Sequence, residues 1–459
     1  MTSTAAISTA SGPSAASADS PWRLAWYPVA YLADLDPKRP TPFTLLGDDL
    51  VIWWDQAGQA WRAFADACPH RLVPLSEGRL SGAGELQCPY HGWTFRGDGH
   101  CTAIPQASSD EQASCLNSPR GRCRTYATAS GQGLLFVFAG DPSRSESVPL
   151  PLVPPLEEPA SPGERPWLVQ DTFRDLPYDA LTLLENVLDV SHVPFTHHGT
   201  VGRRENAGPV ELELTRFDAT GFAGLWKEGP RLGKLGSQAT TFLAPGLMWH
   251  DLTASSFGRI LTVVYATPTQ PGACRLFARF PFRFRSPLAP WLLRLRPKWL
   301  QHLGNHVVLE DDQLFLHWQE RELAERGGSA NLSRACYLPS RADRYVLALH
   351  QWVQEIGGVP FPGQALPPRQ DRDSLMERYH SHTEHCRACS GALANLRRAQ
   401  PWLGAVPWLA LLAVAWRPSP ASLALALPIA LVAWLALRQC RRWEQLLHQG
   451  AGLPPRNRA

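Results

Sequence analysis

The sequence predicts an α+β chain: a small all-β domain, a larger mixed domain, then an apolar helical hairpin. Three observations predict it. From Trp22 onward, short apolar runs (50–54, 133–138) alternate with Gly, Asp and Pro turns, the pattern of short strands. Further on, helical stretches (180–190, 307–325) and strand patterns (276–284) fall in separate runs, as in an α+β layer domain. Near the end, 402–416 and 421–437 carry no charge and are split by Arg417-Pro418-Ser419-Pro420.

The elements follow in order. Residues 1–21 are dominated by Ala, Ser and Thr, with neither the apolar core of a secretory signal nor the Arg of a transit peptide, and read as a disordered tail. The β domain covers 22–141. A proline-rich linker covers 142–166. The mixed domain covers 167–399, where Phe280, Phe282 and Phe284 alternate at the period of a half-buried strand. Two transmembrane helices are expected over 400–438, each reaching the roughly 20 residues of a span only with its flanks. Trp402, Trp408, Trp416 and Trp434 suit interfacial anchoring. Arg397 and Arg398 precede the hairpin, and Arg438, Arg441 and Arg442 follow it, with only Arg417 in the turn. The positive-inside rule then puts both ends, including a 439–459 tail, on the cytoplasmic or stromal side. The competing reading of the hairpin is a buried core pair, which its uncharged length disfavours.

Lys+Arg 44 against Asp+Glu 41 gives a net charge of +3, which excludes a chain-wide basic surface for nucleic acid. The 18 tryptophans suit large apolar cavities or a membrane interface. Ten cysteines are too dilute for a disulfide scaffold. Cys101, Cys115, Cys123, Cys274, Cys336 and Cys440 are scattered and read as free thiols of a reducing compartment.

The other cysteines carry chemistry. Cys68-Pro-His70 and Cys88-Pro-Tyr-His91 form C-x-H-x17-C-x2-H. A Rieske [2Fe–2S] cluster needs two thiolates on one iron and two imidazoles on the other. Two loops, each with one Cys and one His, can pinch such a cluster. A Cys₂His₂ zinc site would more usually pair Cys with Cys and His with His.

The second constellation is Asp189-x2-His192-x4-His197. Asp189 and His192 are three apart and would share a helix face. His197 lies about 140° further round and joins them only if Pro194 breaks the helix. Two His and a distant carboxylate make the facial triad of non-haem Fe(II) oxygenases. The carboxylate is expected from the apolar helix around Asp311 and Asp312, and periodicity does not choose between them. No complete GxGxxG (Gly131-Gln-Gly133 lacks the third Gly) and no P-loop is present, so electrons are expected from another protein, of ferredoxin type.

In this order, the two constellations resemble the Rieske non-haem iron oxygenases, over nearly the whole chain after residue 21. Glu185-Asn186, His192 to Gly199, Phe315 to Glu320, Cys386-Arg-Ala-Cys389 and the C-terminal anchor are similar to the pheophorbide a oxygenase branch of plants and cyanobacteria. Val73 and Tyr90 stand where quinol-oxidising Rieske proteins carry bridging cysteines, a further likeness to the oxygenase type. The resemblance implies that Cys68, His70, Cys88 and His91 bind the cluster and that His192 and His197 bind iron. It favours Asp312 as third ligand and makes Asp189 the catalytic bridge from His91 to His192, across subunits of a homotrimer. It implies a helix-grip catalytic domain. It further implies a membrane-bound monooxygenase, thylakoid or plasma-membrane and multi-pass, using O₂ on a chlorophyll-derived tetrapyrrole such as pheophorbide a. Methyl oxidation of chlorophyllide or protochlorophyllide, hydroxylation of a linear phyllobilin, or a redox-sensing or import-associated role are the alternatives. Cys386 and Cys389 match a redox dithiol open to thioredoxin; two inert free thiols, or a zinc site from His382, His385, Cys386 and Cys389, compete with it. The basic, aromatic stretch 290–300 reads as a core-packed helix with solvated Arg, in preference to a membrane-surface segment.

Overall fold

The computed structural model describes residues 19–160, 164–254 and 257–451. Most of the expected tail (1–18), part of the linker (161–163) and the last residues (452–459) lie outside them. Asp48–Asp55 reads almost continuously apolar and becomes the inner strand of a four-stranded antiparallel sheet with Thr41–Leu45, Ala60–Ala65 and Thr125–Tyr126. A second small sheet (Arg79–Leu80, Leu86–Gln87, Thr94–Phe95, Cys101–Ala103) carries the two Cys/His loops. Trp53, Phe64, Leu75, Leu86 and Phe95 form one apolar cluster beneath those loops.

The second region is a seven-stranded antiparallel sheet. Its order is Leu168–Leu176, Ala273–Phe284, Gly258–Gln270, Leu247–Ala254, Gln238–Leu243, Gly221–Trp226, Leu212–Asp218. The long helix Lys298–Glu325 crosses it, with Leu309 and Leu316 in the core shared with Phe222, Met248, Val264 and Leu276. This is the helix-grip arrangement.

The proline-rich stretch is not a loose linker. Its carbonyls take side-chain donors from both regions: Trp26 Nε1 donates to Val148 (2.8 Å), Tyr265 Oη to Pro151 (2.9 Å) and Trp167 Nε1 to Pro155 (3.1 Å). Proline has no N–H but keeps its carbonyl, so the strap satisfies buried donors without needing strand partners.

The hairpin differs from expectation in extent. Its helices, Arg387–Trp416 and Pro420–His448, run on past the boundaries drawn at 400 and 438. Both are long and apolar enough to cross a membrane, and they are the two candidate spans among the described residues. Their inner ends are core: Cys389, Leu393, Leu396, Cys440 and Leu447 are buried, and Trp299 meets Trp443 edge-on at 5.2 Å. Their outer halves expose Trp402, Leu412, Trp416, Leu425 and Val432.

The reading of 290–300 as core-packed holds only at its end, where Trp299 and Leu300 pack on the core. The helix Leu288–Leu295 buries no residue. Leu288, Trp291, Leu292 and Leu295, spaced i, i+3, i+4 and i+7, are all more than half exposed. The apolar stripe faces outward, as in a helix lying on a membrane surface.

Candidate metal centres and active site

The two Cys/His loops are copies of one turn. Cys68 N–H donates to the Val73 carbonyl (2.9 Å), and Cys88 N–H to that of Trp93 (2.8 Å). Each closes again from the fourth residue on, Leu72 to Cys68 (2.8 Å) and Gly92 to Cys88 (3.2 Å). That fourth residue is left-handed in both, with φ 58° at Leu72 and 74° at Gly92, a conformation Gly adopts without steric cost. The turn sends each cysteine inward, where both are at most 2% exposed, and each histidine to the half-buried tip. The His70 and His91 rings are 4.6 Å apart, and Trp93 stacks on His70. His70 Nδ1 is buried with no hydrogen-bond partner. Burial pushes the Cys68 thiol up to about 11, so a thiolate here needs a nearby cation. Two inward thiols and two outward imidazoles fit a cluster with one iron per pair.

The helix Ala180–Leu188 starts at Asp179, whose carboxylate accepts from Leu181 N–H (3.1 Å), and buries Leu181, Leu184 and Leu188. It ends before Asp189, so Asp189 and His192 do not share a helix face as the spacing suggested. Asp189 Oδ1 instead accepts from the Ser191 N–H (2.8 Å) and hydroxyl (2.6 Å), which turns the chain. A separate turn, Val193–Thr196, with Pro194 near its start, then presents His197.

Three side-chain atoms converge. His192 Nε2 and His197 Nε2 are 3.3 Å apart; Asp312 is 3.9 Å from the first and 3.2 Å from the second. Each ring's other nitrogen is engaged: His192 Nδ1 with the Asp189 carbonyl (2.5 Å) and His197 Nδ1 with Asp311 Oδ2 (3.2 Å). Thr200 Oγ1 also donates to Asp311 (3.1 Å). Both Nε2 lone pairs therefore face one point beside a carboxylate, which suits a cation. Burial alone would lower His197, but Asp311 and Asp312 outweigh it and raise it to about 9.

The family-motif residues set the distance across this site. Gln319 Nε2 donates to Glu185 (2.7 Å), and Glu320 accepts from the Asp179 N–H (2.6 Å) and Thr182 hydroxyl (3.1 Å). These bonds dock Ala180–Leu188 on the long helix. On the sheet side, His250 Nε2 donates to the Val187 carbonyl (2.9 Å), and burial pushes His250 down to about 4, so the ring is neutral.

The triad opens on a cavity of about 590 Å³. Val190, Trp226, Leu235, Phe280 and Leu309 supply apolar wall, and Asn186, Arg203, Glu228, Arg231 and Asn305 are among its polar groups. Asn305 Nδ2 is buried and has no partner. The remaining predicted pair, Cys386 and Cys389, lies elsewhere and is wholly buried. Sequence reasoning missed Thr200, His250 and Asn305. A polar residue inside an apolar helix, as at Asn305, was the available signal.

Residues 25–126 match the Rieske [2Fe-2S] domain family, and 242–330 match the pheophorbide a oxygenase family. Over 416 residues the chain is 35% identical to pheophorbide a oxygenase of Arabidopsis thaliana, covering 83% of this chain and 74% of that protein. The chain belongs to this family. Members of the pheophorbide a oxygenase family are Rieske oxygenases, so the chain is an oxygenase that uses a Rieske [2Fe–2S] cluster and a mononuclear iron. Rieske oxygenases take electrons from ferredoxin-type donors and use O₂. Flavonoid 8-hydroxylase 2 of Ocimum basilicum is also similar, 30% identical over 92% of this chain and 83% of that protein. In fold, the chain resembles a variant of NdmA from Pseudomonas putida, with a TM-score of 0.55 at 23% identity over 73% of this chain and 90% of that one.

Proposed function

We propose that the chain is a membrane-anchored monooxygenase acting on a chlorophyll-derived tetrapyrrole of the pheophorbide a class. One observation carries this: a largely apolar cavity of about 590 Å³ opens on the converging His192, His197 and Asp312, in a chain 35% identical to a pheophorbide a oxygenase. In this reading Cys68, His70, Cys88 and His91 hold the cluster, and His192, His197 and Asp312 hold the mononuclear iron. When bound, the cluster supplies single electrons and the iron supplies the reaction with O₂. One oxygen atom enters the substrate; the other leaves as water, with two electrons and two protons from outside. The chain's residues orient and exclude. Asp311 and the Asp189 carbonyl fix the two imidazoles by their Nδ1 protons. The apolar walls hold the macrocycle and displace water.

The exposed outer halves of the hairpin and the apolar stripe of Leu288–Leu295 support a membrane anchor. That places a lipophilic substrate beside its source. A homotrimer would bring Asp189 to His91 of the partner subunit. A thioredoxin-type partner would first have to open the segment around Cys386 and Cys389, since neither is exposed.

Anaerobic titration with pheophorbide a, chlorophyllide, protochlorophyllide, a linear phyllobilin and a flavonoid tests the substrate class. The reading expects tight binding of a closed tetrapyrrole; preference for the flavonoid contradicts it.

Asp189 gives a second expectation. Its carboxylate stays 4.0 Å from His192 Nδ1, which is held by the main-chain carbonyl instead. Asp189→Ala should therefore keep both metals while breaking the link between centres. Stopped-flow reduction of the cluster should be normal, and its reoxidation by O₂ with substrate slowed by at least about a hundredfold. Normal turnover would show that Asp189 only turns the chain.

A further inference from the structure

Among the described residues, a second group of four donors faces a common point away from the cavity: His302, His382, Cys386 and Cys389. His302 Nδ1 is 3.1 Å from His382 Nε2, 3.5 Å from Cys386 Sγ and 3.5 Å from Cys389 Sγ. Cys389 Sγ is 3.4 Å from His382 Nε2. A tetrahedron with ordinary Zn–N and Zn–S bonds has edges of about 3.3 Å between nitrogens and about 3.6 Å between nitrogen and sulfur. These four of the six edges match such a tetrahedron, and all four atoms lie within 4.8 Å of one another.

The protons favour a metal over a hydrogen-bonded cluster, in which two thiol protons would have to serve the inward nitrogens across 3.4–3.5 Å. His302 Nε2 donates to the Asp171 carbonyl (2.9 Å) and His382 Nδ1 to the Phe173 carbonyl (2.7 Å). A neutral imidazole has one N–H, and both are now used. The inward nitrogens therefore point lone pairs at each other across 3.1 Å. A cation between them removes that conflict. An extra proton would instead charge a ring sealed from solvent. Both carbonyls belong to the edge strand Leu168–Leu176, two residues apart, and serve as the outer partners that ligating histidines ordinarily have.

All four residues are at most 1% exposed. That leaves no open position for water or substrate, as in a structural site. It also suits a redox dithiol poorly, because reactive cysteines sit in partly exposed surroundings. His385, grouped with this motif from the sequence, is 38% exposed and turned toward Glu384 (3.3 Å). Its place is taken by His302, eighty residues upstream of His382.

We propose that His302, His382, Cys386 and Cys389 bind one zinc ion in a closed tetrahedral site. His302 is on the same helix as Asp312, and Cys386 caps the first hairpin helix. The ion would clamp the membrane hairpin to the helix that supplies the iron site's carboxylate.

The test uses the full chain, purified in detergent without chelators. Expected are about one zinc per chain, in addition to the iron, and a zinc X-ray absorption spectrum fitting two sulfur and two nitrogen neighbours. His302→Ala should lose zinc, and His302→Cys, which restores a ligand, should keep it. The Rieske paramagnetic resonance signal reports whether each variant is folded; should His302→Ala lose it, the wild-type spectrum alone decides. A wild-type chain without stoichiometric zinc overturns the proposal, whether the pair is a disulfide by mass, a free dithiol, or holds iron. So does full zinc retention in folded His302→Ala.

Discussion

Asp312→Ala should lower the iron content from about three to about two per chain and reduce O₂-dependent turnover to background. The Rieske resonance signal should be unchanged, because the cluster loops sit on a separate apolar cluster. Asp312 supplies the charge facing both Nε2 atoms, at 3.2 and 3.9 Å. Asp311 cannot replace it, since its carboxylate points to the far side of His197 and to Thr200. Asp311→Ala should keep iron but weaken its binding by about 10- to 100-fold, as removal of a ligand's hydrogen-bond partner does. Iron analysis and oxygen uptake on both variants separate the roles. An empty site in Asp311→Ala with a full one in Asp312→Ala would reverse the assignment.

The second large effect is on stability. Glu310 accepts from Arg174 Nη1 (2.8 Å) and from Arg378 Nε and Nη2 (both 2.6 Å), with all three side chains at most 4% exposed. The triad joins the long helix to the edge strand and to the segment before Cys386. Glu310→Ala leaves two guanidinium ions buried without their partner, and breaking a buried pair costs about 3–5 kcal/mol. Glu310→Gln should fall between, because one amide oxygen replaces two charged ones. Burial alone would raise the Glu310 carboxyl, but the two arginines hold it below the ordinary value. Its folded value is thus the lower one, so its stabilisation is fully present above the unfolded pKa of 4.5 and fades as pH falls through the folded value. Urea unfolding followed by tryptophan fluorescence measures both variants. A loss under about 1 kcal/mol in Glu310→Ala would mean that water enters and solvates the arginines.

The legible parts of this chain were local in sequence. The two Cys/His loops and the His192–His197 pair each lie within a short segment, where spacing alone restricts geometry. The hairpin was legible because its two uncharged stretches are also strongly apolar, unlike the uncharged 1–18 and 125–140. The choice between Asp311 and Asp312 was not, since consecutive helix residues differ by about 100° and either face could have met His197. The end of the helix at Leu188 was hidden because the apolar run continues to Val190, although Asp189 and Ser191 favour a turn. His302 and the Glu310 triad join segments far apart in sequence, and neither has periodicity to mark it. The stripe of Leu288–Leu295 was amphipathic, but an apolar stripe does not say whether protein or lipid covers it.

The central claim is oxygen insertion into a tetrapyrrole at the His192–His197–Asp312 site. A single turnover tests it most directly: chemically reduced protein, pheophorbide a, ¹⁸O₂, and mass analysis of the pigment. A tetrapyrrole product carrying one ¹⁸O atom is expected, in an amount limited by the protein, and none from Asp312→Ala. Oxygen consumed with the pigment unlabelled, or label in the pigment from Asp312→Ala, would contradict it.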